Sequence, residues 1–146
     1  MNRSRREIDL INLIKVSVVP GALLGIISIP INYYLLGVKY REEISLAIGR
    51  SYYPSLRGLL VIATISAAFL IFCGILYVLL YHKLPGRKAF TKAFIIGLFI
   101  YVISRIGDFI VDYPISKGLF VDNALFGAPL LLLLYPYLLS RFYSKE

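Results

Sequence analysis

The chain has 146 residues, 59% of them hydrophobic and only 16% charged, with a mean hydropathy of +0.78. Charged residues alone make up about a quarter of an ordinary soluble domain, so the composition argues against a soluble protein and for an integral membrane one. The formal charge of +8 would suit nucleic acid if the basic residues formed a patch, but they lie in short runs between apolar segments, as membrane loops do, and no nucleic-acid partner is expected.

One cysteine, Cys73, sits in an apolar run, which leaves neither an internal disulfide framework nor a cysteine metal site. One histidine, His82, rules out bis-histidine haem ligation by this chain alone and argues against a histidine zinc site, so no cofactor is expected. Trp and Gln are absent and Met occurs once, a scarcity of thermolabile side chains that points toward a thermophile.

In chain order, the opening Arg3, Arg5 and Arg6 resemble the basic start of a signal peptide. The apolar run behind them is too long and no A-x-A site follows, so the segment is expected to be retained. Between residues 5 and 15, Ile8, Leu10, Ile11 and Ile14 lie opposite Arg5, Asp9 and Asn12, predicting a short interfacial helix that runs on into the first span. Residues 16–38 carry no charge and are long enough to cross the hydrocarbon core. Pro20 and Pro30 predict a kink or local opening there. Gly21 and Gly25 make a GxxxG spacing for close helix approach, with Ser28 and Asn32 continuing that side, where Asn32 is placed to line a pathway.

Residues 39–57 form the longest polar connection, with a short surface helix over 42–49 and a mixed set of charges that reads as a solvated face. Residues 59–81 are again free of charge and give the second span, whose Ala63 and Ala67 repeat the small-residue spacing. A basic loop leads to the third span, 93–113, and then to the fourth, 119–139, broken by Pro129 and Pro136. Tyrosines near the span ends, at 33, 34, 40, 52, 53, 81, 113, 135, 137 and 143, read as interfacial anchors.

The fold expected is an all-α integral membrane protein, one membrane domain over 1–146, built as a bundle of four transmembrane helices with a short interfacial N-terminal helix. Nine Lys and Arg lie in the N-terminal segment, the 82–92 loop and the C-terminal segment, against five in the other two loops. The bias places both termini in the cytoplasm, with the cell membrane as the expected location.

The third span carries the chemistry. Tyr101, Arg105, Asp108 and Asp112 stand at i, i+4, i+7 and i+11, one stripe of a helix, flanked by Gly97 and Ser104. The remaining face, Leu98, Val102, Ile106, Phe109 and Ile110, is apolar. Each charge placed centrally costs about 2.5 to 3.5 kcal/mol on an insertion scale, so the stripe must face protein or water. Arg105 and Asp108 can pair at i,i+3, and the two ionised acids leave one negative charge to be balanced.

Three functional readings compete beside the structural one, a buried Arg105–Asp108 pair that only fixes helix register. The first is a non-enzymatic subunit or scaffold of a larger membrane complex, in which the stripe docks other membrane chains or a second copy. It needs no catalytic geometry and is preferred. The second is a proton- or cation-coupled transport or channel component with Asp108 as the ion site and Arg105 as its counter-ion. The third is a metal-dependent enzyme of lipid head groups using Asp108 and Asp112. That D-x-x-x-D spacing resembles the second half of the CDP-alcohol phosphotransferase signature. The first half, Asp-Gly followed by Ala-Arg about a turn later, is absent upstream and Ser104 stands where its glycine would be, so the family is not assigned. Two carboxylates are in any case a thin metal site.

Overall fold

The computed structural model describes residues 10–143, and among them there is no strand. Helix α1 covers Leu10–Tyr34 and runs into a π-helical turn, Leu35–Lys39. The short α2 is Arg41–Ile48, followed by α3 at Leu56–Leu80 and α4 at Ala89–Val111. The last stretch is a rod of three consecutive pieces, α5 (Lys117–Pro129), a π-helical turn (Leu130–Leu134) and α6 (Tyr135–Phe142). Four of these rods, Leu10–Lys39, Leu56–Leu80, Ala89–Val111 and Lys117–Phe142, are long and apolar enough to cross a membrane, which suggests a membrane protein.

The boundaries follow local chemistry. Ser55 and Ser116 cap α3 and α5, their hydroxyl oxygens accepting from Gly58 N at 3.0 Å and Leu119 N at 3.2 Å. Gly49 ends α2 at φ +71°, a left-handed position that glycine takes without a Cβ clash, while Arg50 N returns to Ser45 O. Each rod starts two or more residues before the span read from the sequence, because the flanking Lys, Arg and Ser are compatible with helix even though they do not belong in lipid; the second and third end at Leu80 and Val111, one and two residues short of the expected ends.

Of the expected interfacial helix, residues 1–9 lie outside the described residues, and residues 10–15 run on into the span as the first turns of α1. The local opening expected at Pro20 and Pro30 lies at neither: α1 stays α-helical through both, and the opening comes at Leu35–Lys39, where Tyr40 N reaches back five residues to Leu35 O at 2.9 Å. Neighbouring helices commonly shelter the carbonyl that a proline leaves without its donor, and the Val16 carbonyl, deprived by the buried Pro20, lies beside Gly74 of α3. In the fourth rod the opening does follow the prolines. The π turn is enclosed by Pro129 and Pro136, and Pro136 has no N–H to return to Leu131 or Leu132.

Packing is closest along α1 and α3. Gly21 lies on Ala67 and Ile71, Gly25 on Ala63 and Ala67, and Gly74 on Ser17. Hence the glycines of α1 meet the alanines of α3 in one antiparallel seam where backbones touch. On α4, Gly97 faces the second π turn and Pro136. At one end of the molecule the rods close over a core of Val16, Leu70, Tyr77, Ala93, Ile96, Tyr135 and Leu139. Leu13 and Tyr143 pack on that same core, so the two ends of the described chain lie on one side. A smaller core, Leu35, Tyr40, Ile44 and Leu119, closes the opposite side.

The tyrosine reading needs correction. Tyr33, Tyr34, Tyr53, Tyr113 and Tyr137 are exposed, but Tyr40, Tyr81 and Tyr135 are buried. Burial is tolerated where the phenol finds an acceptor. Tyr135 donates to Leu70 O at 2.6 Å, tying the fourth rod to α3, and Tyr40 donates to Asp122 at 2.7 Å.

Candidate functional site

The outer face of α4, with Leu98, Val102, Ile106, Phe109 and Ile110, is exposed, as a lipid-facing side should be. The stripe is therefore turned inward. Ser104, Arg105, Asp108 and Asp112 line a cavity of about 360 Å³, whose walls come from all four membrane-length rods. The first rod contributes Ser28, Ile31, Asn32 and Leu36, α3 contributes Ile62, Ser66 and Leu70, and the fourth rod contributes Asn123, Phe126, Gly127, Leu130 and Leu131. Leu24 and Leu70 belong both to the cavity wall and to the larger core, which forms its floor.

Arg105 holds the centre. Its Nη2 pairs with Asp108 Oδ2 at 2.5 Å and reaches Ser104 Oγ at 3.5 Å. The guanidinium carbon stands 5.2 Å from the centre of the Tyr101 ring, a cation–π arrangement. Tyr101 is itself fixed by donating to Ala124 O of α5 at 3.3 Å. Gly127 of α5 faces this pair, and a Cβ there would stand in ordinary contact with Nη2 at 3.4 Å and the Tyr101 ring at 3.7 Å. Among the described residues, the Nε and Nη1 of Arg105 are buried without a hydrogen-bond partner. Buried donors left unmade are costly, about 1 to 3 kcal/mol each and more when charged, and such groups concentrate where a site does more than hold a fold together.

Asp112 is held separately. Asn123 Nδ2 donates to its Oδ2 at 2.6 Å, so the two acids of the stripe are each tied through one oxygen, one within α4 and one to α5. Among the described residues, no group of three or more His, Cys, Asp or Glu side chains is placed to hold a metal ion. With both carboxylates ionised, the formal charges of the lining sum to minus one, from two aspartates and one guanidinium.

A second polar cluster joins the first and fourth rods beyond the cavity. Lys39 Nζ lies 2.5 Å from Asp122 Oδ2, and the Tyr40 hydroxyl donates to the same oxygen. Gly118 makes room, since a Cβ there would meet the Tyr40 ring at 2.9 Å. The sequence reading passed over Asp122, Asn123, Gly118 and Gly127. Asp122-Asn123 stands in the second turn of an apolar run, and that adjacency was the available signal. The partners, on α4 and at the end of the first rod, become neighbours only through folding.

No family model, curated protein or solved structure matches this chain. The geometry therefore carries the functional argument.

The structure also places the helix-packing residues. Gly21, Gly25, Ala63 and Ala67 are used against one another within the chain.

Proposed function

We propose that this protein is a four-helix membrane bundle acting as a proton- or cation-coupled transport component, with Asp108 as the ion site and Arg105 as its counter-ion. The observation that carries the reading is the cavity into which all four rods bring polar side chains at the depth of the stripe. Ionisable groups inside a membrane are expensive and mark pathways when they line a space rather than a packed seam. A net charge of minus one in that space calls for a proton or a cation. Arg105, already paired with Asp108, is placed to release the carboxylate when a positive species arrives.

The scaffold reading is weaker on this geometry, because the small-residue seam is used inside the chain and the stripe lines a cavity instead of an outward face. The enzyme reading is weaker too, since each aspartate already engages a basic or amide group and no third acid joins them among the described residues. Four helices are few for a transporter, so a second copy of the chain is the expected partner, in the lipid bilayer of the cell membrane. The excess of Lys and Arg favours both termini in the cytoplasm.

The test is flux in liposomes under an imposed proton or sodium gradient, comparing the purified wild type with Asp108→Asn. Flux that the substitution abolishes is expected. A wild type that folds, inserts and moves neither ion down either gradient overturns the reading.

A further inference from the structure

We infer that the cavity is shaped for an amphipathic organic monocation, a small ammonium or guanidinium head carrying an apolar body. This rests on the cavity being the cation site proposed above and adds the class of its occupant. Sign is settled by which polar atoms reach the space. Arg105 is poorly placed to receive an anion, because Nη2 is already paired with Asp108 and Nε and Nη1 are buried. Asp112, by contrast, gives only Oδ2 to Asn123, and among the described residues its Oδ1 has no protein partner. Asn32 adds a neutral oxygen from the first rod. The head of the ligand belongs there, beside one carboxylate and the uncharged Asn32 amide.

Size and wall chemistry speak against a caged divalent metal ion. An inorganic cation needs a tight cage, with oxygens at about 2.0 to 2.6 Å for the divalent ions. A cavity of about 360 Å³ is far larger than that. Volumes of about 300 to 1,000 Å³ with mostly apolar linings and a few convergent polar groups are those of organic ligand sites. Leu24, Ile31, Leu70, Phe126 and Leu131 supply the apolar part of the wall, against which the body would lie. One net negative charge matches one positive charge. A dication would find no third carboxylate to neutralise it among the described residues.

The purified full chain in detergent is titrated calorimetrically with benzyltrimethylammonium, and sodium, methylammonium and phenylacetate are then added as competitors. Saturable binding of one benzyltrimethylammonium per chain is expected, with neither sodium nor phenylacetate displacing it and methylammonium competing only weakly. Asp112→Asn should weaken it roughly tenfold, the weight of about one charge-assisted contact. Ser66→Phe, which puts a ring into the space for the body, should weaken it as well. Displacement by sodium as effective as by the organic cation, or tighter binding of phenylacetate, overturns the inference. So does a wild type that binds none of the four. If a variant fails to fold, the wild-type competition series decides by itself. Asp108-dependent ion flux without benzyltrimethylammonium binding would remove the ligand class and leave transport standing. Binding without flux of any cation would do the reverse.

Discussion

A Cβ on Gly97 would run into the Leu131 carbonyl oxygen and come within 2.8 Å of the Pro136 ring, whereas one on Gly107 meets nothing within 4 Å. Both sit in α4, so helix propensity predicts that alanine at either should help by about 0.5 to 1 kcal/mol. The tertiary contact reverses the sign at one of them. Gly97→Ala is expected to lower the midpoint of thermal unfolding in detergent, and Gly107→Ala to leave it unchanged or raise it. Equal effects would mean that the π turn does not press on α4. The Arg105–Asp108 pair makes a second prediction at this scale. Arg105→Gln leaves two carboxylates uncompensated in a largely apolar wall and should cost about 3 to 5 kcal/mol. Asp108→Asn should cost less, because Asp112 remains for the guanidinium. The double variant should cost less than the sum, a coupling that unfolding titrations of all four proteins would read directly. Tyr40 adds a pH dependence. Burial first, and then the hydrogen bond to Asp122, pushes its phenol above the ordinary tyrosine range. A raised pKa means that the folded state holds the proton more firmly than the unfolded chain. Its contribution is therefore complete below about pH 10 and is lost as pH rises through the folded value. Tyr40→Phe should remove that alkaline limb from a stability profile.

Among the elements, the seam of α1 with α3 and the two π turns do different jobs. The seam fixes the frame, because glycine and alanine let backbones touch over several turns. Gly25→Leu would drive a large side chain into the Ala67 Cβ and Ala63 carbonyl, and overpacking of this kind costs about 1 to 3 kcal/mol or more. Ala68→Leu, one residue off the seam on an exposed face, should be neutral in the same unfolding assay. The π turns instead shape the space, since Leu36 of the first and Leu130 and Leu131 of the second line the cavity. A π turn slips the hydrogen-bond ladder by one residue, and such turns recur at functional sites.

Over the whole molecule, the rods meet at the end formed by Tyr77, Tyr81 and Tyr143 and leave the cavity toward α2 and the Lys39–Asp122–Tyr40 cluster. With the proposed orientation, a cysteine placed in the 83–88 loop should be labelled only from the cytoplasmic side, and one placed at residues 50–53 only from the other. Labelling of both from one side would overturn the topology. The Lys39–Asp122 ion pair is half exposed on its Lys39 side, so Asp122→Asn should leave the unfolding midpoint nearly unchanged.

The sequence by itself determined the four apolar rods, the charged stripe and its inward direction, because hydrocarbon admits few alternatives: uncharged runs of about 20 residues span it and a charge must turn away from it. Helical spacing likewise marked Gly21, Gly25, Ala63 and Ala67 as small-residue faces. Local periodicity could not say that these two faces meet each other, that Tyr135 is buried on the Leu70 carbonyl, or that Asn123 holds Asp112. Nor could it place the loosened turns after the prolines rather than at them. Those features depend on which rods lie side by side and how far apart they stand. Only the tertiary structure decided that, and with it whether the stripe would be a seam or the wall of a cavity.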